Sequence, residues 1–330
     1  MNHSPAQNDS PLAKLDAWMA SSPWHPRIVP FFVYILGLAL GAMVILGALP
    51  VVLPFLYTLQ VGGVVFLLVR YRKLLPEMTL RFHWLAVPTG IGLLFAWVYL
   101  GYFTNWLSVQ SQGTPVLGDV MGYLVPTTPA GSGVDGAERH PIVIGRESFG
   151  ELWYWATMIL RLLGMSLVVP LFEELFIRSA VLRCTRTWAK TRDGIIQVLS
   201  DLPLIGEPIA NSPAGRRANA LGPQFTEQLV NTPVGMITAF SVVASTFVFM
   251  LSHQRRDWLG CIACGIVWCG VLWYTNRPRP RKFNEDGTAE TWDTLPEGGR
   301  TGLGPISWSH GITNAALWAW TLQTGDWQFL

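Results

Sequence analysis

Two adjacent glutamates and an arginine lie inside a segment that is otherwise apolar enough to cross a membrane. The segment VVPLFEELFIRSAVLRC, residues 168–184, contains Glu173, Glu174 and Arg178. A charge at mid-membrane depth is costly, and such residues usually face an interior cavity and mark function. Glu174 and Arg178 share a helix face and can pair, whereas Glu173 points about 100° away. The spacing predicts a free carboxylate, with a purely architectural ion-pair network as the alternative.

Two later apolar segments contribute histidines at helical spacing. The sequence FVFMLSH places Phe249 and His253 on one helix face, and SHGITNA places His310 and Asn314 on one face of another helix. A single histidine at a helix end is more often an interfacial residue than a catalyst. Here a glutamate, two histidines and an asparagine come from three separate apolar segments. Together they would supply a general base, an orienting imidazole and hydrogen-bond donors for a developing oxyanion, as acyl-group hydrolysis requires.

The three motifs resemble the signature of a known family. E-E-x-x-x-R in EELFIR, F-x-x-x-H in FMLSH and H-x-x-x-N in HGITN are similar, in this order, to the motifs of the CPBP intramembrane proteases. This is the family of the CAAX prenyl endopeptidases and the bacterial Abi proteins. The resemblance covers roughly residues 150–323. The ending HGITNAALWAWTLQTGDWQFL also resembles the bacterial branch that is associated with exosortase and PEP-CTERM protein sorting.

The resemblance implies a role for each matching residue. The catalytic residues would be Glu173, His253, His310 and Asn314, and the supporting residues would be Glu174, Arg178 and Phe249. Glu173 would activate the attacking water together with His253. The second histidine would stabilise the tetrahedral oxyanion with the asparagine. The pair of Glu174 and Arg178 would hold the geometry of the site, a role that suits charge-assisted pairing.

The cofactor of such a site has two interpretations. Glu173, His253 and His310 form an open zinc ligand set, in which the metal would lower the pKa of the bound water. In the alternative, the site holds no metal and the glutamate itself is the base. The sequence is compatible with both.

The composition is typical of an integral membrane protein. Of the 330 residues, 50% are hydrophobic and only 13% are charged, and the mean hydropathy is +0.33. Soluble domains contain roughly 25% charged residues. The formal net charge of +2 is too small to indicate a nucleic-acid partner. The composition thus predicts the lipid bilayer as a partner, and the family resemblance implies a membrane-anchored or lipid-modified protein segment as the other.

A membrane span needs about 20 mostly apolar residues, and this rule predicts an all-α helical bundle with about seven transmembrane helices. The predicted spans are residues 28–48, 52–69, 84–103, 153–182, 234–253, 257–275 and 304–323. The predicted regions are a cytoplasmic tail at 1–27, three N-terminal helices within 28–103, an extracytoplasmic loop at 104–150 and a protease-like core at 151–330, with loops at about 184–233 and 277–302.

Lysine and arginine indicate the orientation, because cytoplasmic loops are enriched in both. They follow the second, fourth and sixth predicted spans, as in NRPRPRK at 276–282. We therefore expect a cytoplasmic N-terminus, and the family resemblance implies a bacterial inner membrane. Arg255 and Arg256 are exceptions on the outer side. His253 also falls at the outer end of the fifth span, so that a shared site requires this span to sit several residues deeper.

A second class of function fits the same residues. A non-catalytic polytopic membrane protein would use the polar cluster to bind a partner, a ligand or an ion. Transporters usually have two related halves with broken helices in matching positions, and the sequence has neither feature. Substitution of Glu173 by glutamine separates the two classes, because the amide keeps the shape of the side chain and loses the base.

Overall fold

The computed structural model describes residues 10–46, 52–111, 114, 141–278, 280–283, 289–292 and 296–329. These residues form a bundle of helices. The helices are α1 (Pro11–Ala20), α2 (His25–Leu46), α3 (Leu53–Arg70), α4 (Ala86–Gln110), α5 (starting at Pro141 and ending at Cys184), α6 (Trp188–Ser200), α7 (Gly206–Asn211), α8 (Pro213–Asn219), α9 (Gln224–Asn231), α10 (Ala239–Leu251), α11 (Trp258–Asn276) and α12 (Gly304–Thr324). Two short strands, β1 (Pro280–Phe283) and β2 (Ala289–Trp292), pair antiparallel between α11 and α12.

Helix α5 changes its helical type along its length. Its consecutive parts are Pro141–Leu163, a π-helical turn at Gly164–Val168, Val169–Glu174, a second π-helical stretch at Leu175–Val181 and Leu182–Cys184. The first of these parts is kinked at Gly150, whose φ of 83° and ψ of −179° are not helical. Pro170 lacks the N–H that would bond the carbonyl of Ser166, and its ring would clash with that carbonyl in a regular α-helix. The wider first π-turn lies where this conflict arises. Both glutamates of the sequence motif lie between the two π-helical stretches, a kind of irregularity that is frequent at functional sites.

Four helical segments are long and apolar enough to cross a membrane, within the residues that the structure describes. They are Leu53–Arg70, Ala86–Gln110, Ile142–Cys184 and Arg255–Asn276. The pair Pro11–Ala20 and His25–Gly41, which is bent by 120°, would make a fifth. Helix α10, in the predicted fifth span, has only 13 residues. Helix α12, in the predicted seventh, has 21 residues but many polar side chains. The fold is therefore helical, with four or five candidate spans.

Several predicted boundaries differ from the observed ones. Helix α4 extends to Gln110, into the predicted loop 104–150, and most of the rest of that loop lies outside the described residues. The predicted loop 184–233 contains the four helices α6 to α9. These helices are short and polar, so that a search for apolar segments does not detect them. A local start signal is nevertheless present, because Ser212 precedes a proline and its Oγ accepts from the Gly215 N–H at 3.0 Å.

The hairpin of α10 and α11 is shorter than the helices beside it. Its turn, residues 252–257, lies near the middle of α4, where the ring of Trp97 is 5.8 Å from that of His253. Beyond this level α5 and α12 stay in contact, since Trp318 Nε1 donates to the Met158 carbonyl at 3.0 Å. His253 is thus level with the middle of α4.

The opposite end of the bundle carries most of the exposed positive charge. The C-terminal ends of α3, α5 and α11 meet the N-terminal ends of α4 and α12 there. Arg81 Nη1 donates to the Arg300 carbonyl at 2.6 Å and ties two of these connections together. We call this the basic end, and its basic residues include Arg72, Lys73, Arg81, Arg186 and Arg277.

A buried ion network closes the basic end. Glu77, between α3 and α4, bonds Arg27 of α2 through Nε at 2.6 Å and accepts from Ser179 of α5 at 2.5 Å. Arg183 of α5 is 3.7 Å from Glu77 and 3.5 Å from Glu297. The network therefore links the N-terminal helices to α5 and to the segment that precedes α12.

Candidate functional site

Four predicted residues from three parts of the fold line one cavity. Glu173 lies on α5, His253 follows α10, and His310 and Asn314 lie on α12. The cavity has a volume of about 200 Å³. Its apolar wall consists of Trp97, Met165, Val169, Phe249, Trp268, Leu317 and Phe329. The sequence motifs therefore meet around a space that a small part of a substrate could occupy.

Glu173 presents a carboxylate to this cavity. Its side chain is 12% exposed, and its Oε2 lies 3.8 Å from Nε2 of His310. That separation is longer than a hydrogen bond. Oε2 finds no hydrogen-bond partner among the described residues. This oxygen is itself buried, so that a water molecule in the cavity can contact Glu173 only through the exposed part of its side chain.

His310 is held on two sides. Its Nδ1 lies 3.0 Å from Oε1 of Glu174, and its ring stacks on Trp268 with 4.3 Å between the centroids. Trp268 is fixed in turn, because its Nε1 donates to Ser309 Oγ at 3.1 Å. A carboxylate accepts hydrogen bonds, so that Nδ1 carries the proton and Nε2 faces Glu173. This arrangement sets both the tautomer and the direction of the imidazole.

Glu174 and Arg178 form a pair inside the bundle. Both side chains are fully buried, and Arg178 Nε is 3.6 Å from Glu174 Oε2. The guanidinium carbon lies 4.9 Å from the ring centroid of Phe249 and 5.7 Å from that of Trp268. Within the described part of the chain, none of its nitrogens has a hydrogen-bond partner. The charge of Arg178 is therefore offset by one carboxylate and two aromatic faces.

His253 is positioned by the end of α10. Its Nδ1 lies 3.0 Å from the Phe249 carbonyl and 3.1 Å from Ser252 Oγ. A carbonyl oxygen can only accept a hydrogen bond, so that Nδ1 carries the proton and donates to it. The ring also packs edge-on against Phe249, with 4.5 Å between the centroids. Nε2 is then the ring nitrogen that the helix end leaves for the cavity.

Asn314 is anchored to the first π-helical turn of α5. Its Nδ2 donates to the Met165 carbonyl at 2.7 Å. An amide nitrogen has two N–H groups, so that one remains for another acceptor in the cavity. Asn314 can therefore act as a fixed donor.

The candidate metal ligands do not form a complete site. In the described residues, no group of three or more His, Cys, Asp or Glu side chains is arranged to hold a metal ion. The proposed set of Glu173, His253 and His310 thus does not fit a zinc ion as the side chains stand. We derive no step through a metal.

Several lining residues, among them Trp268, Arg256 and Gln328, were not predicted as site residues from the sequence. Trp268 lies in the middle of its apolar segment, away from the ends where an aromatic belt is expected, and this position was an available signal. Arg256 and Gln328 reach the cavity through tertiary contacts, since Arg256 Nη2 donates to the Gln328 carbonyl at 3.0 Å. Local sequence carries no signal of that contact.

Comparison of the chain with protein-family models, with curated proteins and with solved structures gives no match. The resemblance to the CPBP proteases therefore rests on the three motifs.

Proposed function

We propose that this chain is an intramembrane endopeptidase of the CPBP type, with about seven spans in a bacterial inner membrane and a cytoplasmic N-terminus. It hydrolyses a peptide bond in a membrane-anchored or lipid-modified protein, in the processing or sorting of envelope proteins. Its partners are that substrate and the bilayer, with no nucleic acid. The observation that carries the proposal is the meeting of Glu173, His253, His310 and Asn314 around one cavity.

Glu173 is the general base in this proposal. The carboxylate of Glu173 takes a proton from water while the water oxygen attacks the carbonyl carbon of the substrate. His253 accepts a hydrogen bond from the same water through Nε2, because Nδ1 is engaged by the end of α10. A positioned base of this kind contributes about 10²- to 10⁴-fold to the rate.

The oxyanion of the tetrahedral intermediate is stabilised from α12. Asn314 donates its second N–H, and its first N–H to Met165 holds the amide in place. His310 donates to the same oxyanion whenever Nε2 carries a proton, while Nδ1–H stays bonded to Glu174. Collapse of the intermediate breaks the C–N bond, and Glu173 returns its proton to the leaving amine.

The test is cleavage of a library of membrane-anchored substrates in reconstituted vesicles, with wild type and Glu173→Gln, each with and without a strong zinc chelator. We expect the substitution to lower cleavage by about 10²-fold or more, because the amide cannot take the proton. The chelator should leave the wild-type rate unchanged. Loss of wild-type cleavage on chelation would instead indicate a metal-dependent enzyme.

Glu151→Gln is the matched control. Glu151 lies on the same helix, but its side chain is 60% exposed and pairs with Arg146 outside the cavity. This variant should cleave at the wild-type rate. Undiminished cleavage by Glu173→Gln would remove Glu173 from the mechanism and favour a non-catalytic binding protein.

A further inference from the structure

The residues that line the cavity become more exposed toward the turn between α10 and α11. His310 and Trp268 are 4% and 1% exposed. Gln254, in the turn between α10 and α11, also lines the cavity and is exposed. Arg256 and Gln328 line the same side. The turn 252–257 and the C-terminal residues 326–329 therefore form the mouth of the cavity.

The C-terminal side of the mouth is held in place by α4. Asn105 Nδ2 donates to Gln328 Oε1 at 3.0 Å, and Tyr102 donates to Asp326 at 2.8 Å. Phe329 is buried against Val98 of α4, in a cluster that also includes Leu317 of α12. The segment thus packs as a wall of the cavity.

The other side of the site is filled by the core. Leu175, Leu272 and Ile306 follow the site residues toward the basic end on α5, α11 and α12, and each is fully buried. Beyond them lies the ion network of Glu77 and Arg183. The cavity therefore opens away from the basic end.

The distribution of positive charge indicates which face of the membrane the cavity opens toward. Cytoplasmic loops carry the excess of lysine and arginine, so that the basic end is cytoplasmic. The turn 252–257, with Arg255 and Arg256, then lies on the extracytoplasmic side of the site. The guanidinium of Arg256 donates there to the carbonyl of Gln328, whose side chain is bonded to Asn105 near the end of α4.

We propose that the cavity takes its substrate from the extracytoplasmic face, through the mouth formed by residues 252–257 and 326–329. The substrate is an extended segment on the outer side of a membrane-anchored protein, a choice that rests on the proposed function. Polar groups of Gln254, Arg256 and Gln328 at the mouth bond its backbone, and the apolar wall receives a side chain next to the scissile bond. The cavity volume of about 200 Å³ is below that of typical ligand pockets, roughly 300–1,000 Å³. The cavity therefore holds only the substrate residues next to the scissile bond.

The test is the reaction of single cysteine substitutions with membrane-impermeant thiol reagents, which requires no protease activity. Gln254→Cys reports the mouth, Lys73→Cys reports the basic end, and Thr313→Cys reports the interior of the cavity. Wild type is the background control, because its four cysteines are all buried. A bulky maleimide serves for the two exposed positions and a small sulfonated methanethiosulfonate for Thr313→Cys, in intact spheroplasts and in inverted vesicles.

We expect Gln254→Cys and Thr313→Cys to react in spheroplasts at least 10-fold faster than in inverted vesicles, and Lys73→Cys to show the reverse. Reaction of Thr313→Cys from the basic face, or no reaction of it from the outer face, would overturn the proposal. The same holds if Gln254→Cys is labelled only in inverted vesicles. If the labelling is as expected while no substrate is cleaved, the endopeptidase proposal fails. The proposal that the cavity opens to the extracytoplasmic face is then still supported.

Discussion

Glu174 is shared between two cationic or potentially cationic groups. One oxygen contacts Nδ1 of His310 at 3.0 Å, and the other lies 3.6 Å from Arg178. The aromatic rings of Phe249 and Trp268 cover the guanidinium but cannot replace a counter-charge. The carboxylate of Glu174 therefore both orients the imidazole and compensates a buried positive charge. A substitution there should affect activity and stability through separate causes.

The variant Glu174→Gln tests this double role. An amide oxygen can still accept from Nδ1, but it is a weaker orienting group, and loss of such an outer contact typically lowers activity about 10- to 100-fold. The same change leaves Arg178 buried without a counter-charge, which costs about 3–5 kcal/mol. Thermal unfolding in detergent and cleavage assays measure the two effects.

The double variant Glu174→Gln with Arg178→Met separates the two causes. Removal of both charges with an apolar replacement is often neutral for stability, so that the double variant should regain most of the lost unfolding free energy. Cleavage should remain low, because the carboxylate beside His310 is still absent. A double variant that is no more stable than Glu174→Gln would show that Arg178 does not depend on this partner.

At the scale of the elements, the site depends on the close approach of α12 to the first π-helical turn of α5. Gly311 faces the carbonyl of Ser166, and a Cβ at this glycine would lie 2.3 Å from that oxygen. The neighbours of Gly311 along α12 are His310, which meets the glutamates, and Asn314, which bonds Met165. The distance between the two helices therefore sets the distance between Glu173 and the two residues of α12 that we propose as oxyanion donors.

We expect Gly311→Ala to force α12 away from α5. Overpacking of a tight contact costs about 1–3 kcal/mol, and cleavage should fall by about 10-fold or more because His310 and Asn314 move with the helix. Gly270→Ala on α11 is the control, since no described atom lies within 4 Å of its Cβ position. That variant should be neutral or slightly stabilising. Equal unfolding temperatures for the two variants would contradict the role of Gly311.

Local spacing predicted the side-chain pairs, because residues four apart share a helix face wherever the helix lies. The Glu174–Arg178 contact and the Phe249–His253 contact both follow from that rule. The same rule could not predict the short length of α10 or the helices within 184–233. Hydropathy identifies apolar segments, but it does not identify the helix ends, which tertiary packing determines. The contact of Arg256 with Gln328 joins residues that are far apart in sequence, and no periodic pattern encodes it.

At the scale of the whole molecule, the N-terminal helices support the segment that carries the glutamates. Phe31 of α2 stacks on Phe176 at 4.3 Å, and Tyr34 packs on Phe172 at 4.6 Å between centroids. These contacts flank Glu173 on α5. At the basic end, Arg27 binds Glu77, next to the end of α5. The N-terminal helices are therefore part of the folded unit that holds the site, although the sequence resemblance begins after them.

The Glu77 network makes the stability of this unit depend on pH. Burial raises the pKa of the Glu77 carboxyl, but Arg27, Ser179 and Arg183 stabilise its charge more strongly, so that the pKa is lowered overall. A lowered pKa in the folded state gives a stabilisation that is complete above the ordinary glutamate pKa of about 4.3 and is lost as the pH falls through the folded value.

Glu77→Gln should therefore lower the unfolding free energy by about 3–5 kcal/mol at pH 7, because two buried arginines lose their central carboxylate. The difference from wild type should shrink as the pH falls below about 4.3, because the unfolded chain then binds a proton at Glu77 that the folded protein binds only at lower pH. Thermal unfolding in detergent between pH 7 and pH 3 measures this, with Glu147→Gln, at an exposed position, as the control that stays close to wild type throughout. A difference that does not change with pH would mean that the charge of Glu77 does not stabilise the basic end, and that its hydrogen bonds to Arg27 and Ser179 hold the N-terminal helices on the core instead.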